Sequence, residues 1–133
     1  MSRPPHRPPL GECLKELRLP TVRAVYEEVA ARARQESLSY EEFLLEVLEQ
    51  ERQGRRQHRI QRALRASALP LEKTLATFDR KRLPRSVDTH LNVLLEGTFL
   101  DRCENVLAFG PPGCGKTHLL CALGQELIHR GRQ

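Results

Sequence analysis

Apolar residues recur at helical intervals through the first half of the chain. Leu10, Cys13, Leu14 and Leu17 form one stripe. The Leu19-Pro20 step ends it, because a residue before proline avoids the α region. Val22, Val25, Tyr26, Val29, Ala30 and Ala33 line a second helix. Both helices are amphipathic and need a partner. Ser39-Tyr40-Glu41-Glu42 then has the form of a capping box, in which Ser39 accepts from the third helical amide and Glu42 reaches back to the Ser39 amide. The helix it opens is predicted to run to about Ser67. Its stripe of Tyr40, Phe43, Leu44, Val47 and Leu48 is expected to pack on the two preceding helices. No apolar residue stands between positions 49 and 59, so that stretch is expected to face solvent or a polar partner. Ile60, Ala63 and Leu64 resume a weaker stripe.

Leu69-Pro70 closes this region, and residues 72–84 carry no clean period. Val87, Leu91, Leu94 and Leu95 predict a further helix. Residues 105–109, NVLAF, form a short apolar run of the kind expected for a buried parallel strand. Leu119, Leu120, Leu123, Leu127 and Ile128 give helical spacing over residues 118–129. The opening MSRPPHRPP cannot bury enough apolar surface to offset ordering, and residues 1–9 read as a disordered, Pro-rich tail. There is no internal repeat.

Composition narrows the class. A chain of 133 residues is one domain's worth, and 39% apolar residues with 5% aromatics and no Trp predict an aliphatic core. The longest apolar run, five residues ending at Leu123, is far short of the ~18 that cross a bilayer. The cysteines at 13, 103, 114 and 121 form no CxxC pair, which points to a reduced intracellular chain, and with the short apolar runs the expectation is a cytoplasmic protein with no membrane association. Cys103, Cys114 and Cys121 with His118 match no standard metal-site spacing. His6, His58, His90 and His129 have no nucleophile or carboxylate at suggestive spacing, and no catalytic residue is assigned.

Charge changes the picture more. The net +5 is concentrated in Arg52, Arg55, Arg56, Arg59, Arg62 and Arg65, six arginines within 14 residues with no acid among them. On a helix, 52, 55, 59 and 62 share a face with 56 beside it, a spacing suited to tracking phosphates of double-stranded DNA. The absence of interleaved aromatics argues against single-strand stacking. A solvated helix face is the plainer alternative. Gly54 within this run weakens the helix by roughly 1 kcal/mol relative to Ala.

The most specific signal is residues 110–117, GPPGCGKT, which fit GxxxxGK[ST] at every fixed position. The apolar run before it and the helical stripe after it give strand, glycine loop and helix in the order a phosphate site requires. Gly110, Gly113 and Gly115 permit turns closed to residues with a Cβ and let amides approach phosphate oxygens. The helix N-terminus adds partial positive charge. Lys116 is placed to reach the β and γ phosphates, and the Thr117 hydroxyl to complete a Mg shell. Pro111, Pro112, Cys114 and His118 complete the candidate nucleotide-binding stretch. Organisation then reads as a tail at 1–9, a helical module at 10–69, and a connector with a P-loop segment at 70–133. The fold class is mainly α, with the first strand, P-loop and helix of an incomplete α/β P-loop NTPase domain.

LKELRLPTVRAVYEEVA, LSYEEFLLEVLEQE, EKTLATFD and ENVLAFGPPGCGKTHLLCALG, taken together and in this order, resemble the IstB-like ATP-binding proteins. These are helper ATPases of DNA transposition, related to DnaC-type helicase loaders within the AAA+ class. The resemblance implies ATP and Mg as cofactors, and a transposase, double-stranded DNA and further copies of the chain as partners. Cys114 stands where the family usually shows Thr, at a position that contributes mainly backbone. No apolar run after Thr117 ends in an acid, so the family's Mg-holding acidic pair and its arginine finger have no counterpart. The chain is therefore expected to be a truncated form that binds ATP without hydrolysing it alone, and its apolar strand to lack neighbours on both edges. A non-enzymatic helical binding module and a fragment of a DnaC-like loader are the competing readings.

Overall fold

The computed structural model describes residues 9–132, so all but the last residue of the Pro-rich tail lies outside the described residues. Two compact units follow one another, one up to His58 and one from Arg59. The division falls inside a long helix, ahead of the Leu69-Pro70 stop.

The first unit contains α1 (Leu10–Glu16), α2 (Pro20–Glu36) and the first part of α3 (Tyr40–Ser67). Pro20 occupies the first turn of α2, where its missing N–H is no loss. Ser37, at φ 54°, closes α2 in the left-handed region, and the Leu38 amide then donates to the Ala33 carbonyl. The capping box forms as the sequence predicts. The Ser39 amide donates to Glu42 Oε2 at 2.7 Å and the Glu42 amide to Ser39 Oγ at 3.1 Å. The Ser39 amide holds the Glu42 carboxyl below the usual carboxylate range. Leu14, Val22, Val29 and Val47 make the core, with Leu19, Val25, Tyr26 and Phe43 against it.

One expectation for α3 is corrected. Its first half does not bury its whole stripe: Phe43 and Val47 face the core, whereas Tyr40, Leu44 and Leu48 are 92%, 55% and 48% exposed. Apolar positions four apart form two adjacent rows on this helix, and the core takes only one of them. Of the two expectations for the polar stretch, solvent and a polar partner, Glu51 takes the second. Glu51 is buried, and its Oε2 accepts from the Thr21 and Val22 amides at 2.9 and 3.0 Å. No side chain of α2 caps its own N-terminus, where Leu19 stands at the N-cap. A carboxylate from another helix therefore does that work, with the macrodipole in its favour. Gly54 lies one turn further on, and a Cβ there would stand 2.3 Å from Thr21 Oγ1. The glycine is the condition for this close approach.

The second unit begins within α3 and continues through a 3-10 turn (Arg80–Arg82), α4 (Arg85–Leu95), α5 (Thr98–Asp101) and α6 (Lys116–His129). Leu91 and Leu95 of α4 meet Leu123 and Leu127 of α6, flanked by Leu75, Leu83, Leu94, Phe99 and Leu119. Arg130 ties the end of α6 to the Leu95 carbonyl at 2.8 Å.

The structure is mainly helical, and no strand forms among the described residues. The strand expected at residues 105–109 is therefore corrected: Leu107 and Phe109 stand 76% and 88% exposed in irregular backbone. A ladder needs a second extended segment to take its amides and carbonyls, and none pairs with this one.

Candidate nucleotide site

The glycine loop leads directly into α6. Gly115 is the N-cap of that helix, at φ 90°, and Gly113 lies at φ 77°. Both conformations disfavour residues with a Cβ. At Gly110 the constraint is contact rather than angle, since a Cβ would stand 2.8 Å from Cys114 Sγ. No side chain caps α6. Its first amides thus lack intrahelical partners and sit at the positive end of the macrodipole, where an anion is favoured.

Lys116 folds back over the loop. Its Nζ donates to the Gly110 and Pro111 carbonyls at 2.5 and 2.9 Å and lies 3.6 Å from Cys114 Sγ. The ammonium is thus held beside the loop by acceptors that phosphate oxygens can replace. The Cys114 amide donates to the Pro111 carbonyl at 3.3 Å, so position 114 shapes the loop through its backbone. Pro111, Pro112 and Thr117 are exposed. Glycines, lysine and helix end together fit a di- or triphosphate, and Thr117 on the first turn of α6 fits the hydroxyl ligand that Mg takes beside such a group.

His118 points elsewhere. Its Nε2 lies 3.1 Å from both the Thr74 carbonyl and Thr77 Oγ1, and the Phe78 ring packs edge-on at 5.2 Å. Phe78 also lies against Gly115. Thr74 and Thr77 lock this segment by exchanging hydrogen bonds, each hydroxyl accepting from the other's amide at 3.1 and 3.2 Å. Gln125, buried in α6, donates to the Pro70 and Lys73 carbonyls at 2.6 and 3.2 Å. The connector is thereby fastened along α6 up to the edge of the glycine loop. Hydrophobic periodicity gives no hint of this, and Thr-x-x-Thr with its reciprocal caps is the local signal that marks it.

The arginines of α3 fall into two groups. Arg52 pairs with Glu49 at 2.8 Å, and Arg55 is bound to Glu51 Oε1 at 3.2 Å and to the Arg18 carbonyl at 3.0 Å. Arg56, Arg59, Arg62 and Arg65 are exposed and have no ion pair among the described residues. No group of three His, Cys, Asp or Glu among the described residues is placed to hold a metal ion. Among the same residues no helix is long and apolar enough to cross a membrane.

Comparison with known proteins bears on the same residues. The family described as IstB-like ATP binding protein matches residues 12–133. The ATP-binding protein named for insertion sequence IS5376 in Geobacillus stearothermophilus is 39% identical over 122 residues, 92% of this chain and 49% of the relative. An insertion-sequence ATP-binding protein of Sinorhizobium fredii is 37% identical over 123 residues, 92% of this chain and 41% of its own length. The one named for IS21 in Pseudomonas aeruginosa is 40% identical over 108 residues, covering 80% and 40% of the two chains. The chain thus spans about half the length, or less, of these relatives.

Proposed function

The chain belongs to the IstB-like ATP-binding protein family, and from that premise we propose that it is an ATP-binding helper of DNA transposition. Residues 110–117 hold ATP, with Lys116 on the terminal phosphates and Thr117 on Mg, while the His118 side chain serves the connector instead. The observation that carries this reading is the set of left-handed glycines at 113 and 115 leading into an uncapped α6, beside a lysine held by acceptors of the loop itself.

Arg56, Arg59, Arg62 and Arg65 supply a sequence-independent grip on duplex backbone, with Arg52 and Arg55 engaged within the protein. The relatives' names place them in insertion sequences, which supports a transposase as the protein served. Binding of a fluorescent ATP analogue with Mg tests the site. Wild type is expected to bind and Lys116→Ala to lose most of the affinity at unchanged helicity. Equal affinity in the two would overturn the assignment.

A further inference from the structure

Glycines leave the phosphate loop wide backbone freedom, so what steadies it comes from elsewhere in the chain. Gly113 and Gly115 both lie at positive φ, and no side chain caps α6. The turn that carries Lys116 and Thr117 is therefore not set by its own residues alone. Residues 69–78 run antiparallel along α6 as a strap and touch it at intervals. Leu69 lies at Gly124, where a Cβ would stand 2.9 Å from the leucine Cδ1. Gln125 holds Pro70 and Lys73, His118 meets Thr74 and Thr77, and Phe78 reaches Gly115. The strap is braced where His118 meets it, because the Thr77 hydroxyl lies 3.1 Å from the Glu72 carbonyl and also accepts from the Thr74 amide.

The Thr74 carbonyl can only accept, so His118 Nε2 carries a hydrogen and donates it. Thr77 Oγ1, at the same 3.1 Å, shares that hydrogen. His118 follows Thr117 directly on the first turn of α6, and among the described residues these are the hydrogen bonds that join this turn to the strap. We propose that His118 is a positioning residue for phosphate binding. Through Nε2 it ties the first turn of α6 to the strap, and so sets the Lys116 ammonium, the Thr117 hydroxyl and the open amides in the arrangement a nucleoside triphosphate needs. The inference rests on the nucleotide reading above and adds to it a cause for the order of the loop. Linkage makes the coupling reciprocal, so bound nucleotide steadies residues 72–78 in return.

The whole chain is titrated with a fluorescent ATP analogue and Mg, and hydrogen exchange over residues 72–78 is followed with and without it. Two amides separate positioning from packing: the Gln nitrogen falls where Nε2 stands and can donate to Thr74, whereas the Asn nitrogen falls at Nδ1, short of the strap. At unchanged helical circular dichroism, His118→Ala and His118→Asn are expected to bind about three- to tenfold more weakly and His118→Gln within about twofold of wild type. Thr77→Val unlocks the strap, so His118→Ala is expected to cost less in that background than alone. The analogue is expected to slow exchange at 72–78 in wild type and His118→Gln, and to have little effect on it in His118→Ala. Equal affinity in His118→Ala and wild type, His118→Asn as tight as His118→Gln, or exchange at 72–78 indifferent to bound analogue overturns the proposal. Lys116→Ala runs alongside: if it loses affinity while the His118 variants do not, this inference alone falls. If wild type does not bind or Lys116→Ala binds equally, the nucleotide site falls and this inference with it.

Discussion

Gly54 shows how a single position escapes sequence reasoning. Within a run of arginines it reads as a weak point in a helix, whereas in the structure it is the place where α3 clears Thr21. Gly54→Ala gains about 1 kcal/mol of helix propensity and yet is expected to destabilise the first unit by about 1–3 kcal/mol, since the methyl overlaps Thr21 Oγ1. Thr21→Ala removes the obstacle, so the double variant is expected to recover most of that loss in urea unfolding. Additive effects of the two substitutions would show that the close approach carries no strain. Glu51 was equally hidden. Polar residues flank it on both sides, and only the arrival of another helix N-terminus gives a buried carboxylate its partners.

At the scale of the element, the helices were legible because their signals are local. Leu19-Pro20, the capping box at Ser39 and the stripes at Val22 and Val87 each act within a few residues, and α1 to α4 begin and end close to where these signals stand. The apolar run at 105–109 was misread because a strand is a relation between two segments, and its own composition cannot supply the second. The long α3 was legible in extent and not in facing. Its arginines divide by contacts that spacing does not reveal, and this alters which variants test duplex binding. Gln at 56, 59 and 62 keeps helix propensity while removing three charges that have no ion pair. If all three neutralise phosphates, the logarithmic salt slope is expected to fall by about 2 to 3, at about 0.9 per contact on B-DNA, for random and defined duplexes alike. Fluorescence anisotropy at graded salt measures it. An unchanged slope would leave these arginines as a solvated face.

At the scale of the whole molecule, the glycine loop was the most legible feature of all, since its motif states a chemistry as well as a turn. The fastening of residues 70–78 to α6 was not legible, because it rests on carbonyl acceptors and an edge-on ring that leave no periodic trace.

The Glu51 carboxylate has a consequence for how the first unit assembles. Its two amide partners lie 30 and 29 residues away along the chain. Hydrogen bonds to a charged acceptor contribute about 1.5–3 kcal/mol each, so the first turn of α2 is frayed until α3 has docked. Docking in turn is favoured only once that turn offers its amides. The start of α2 is therefore not completed by local order alone, and the loop closure that joins it to α3 is expected to belong to the nucleus of a cooperative transition rather than to its last adjustment.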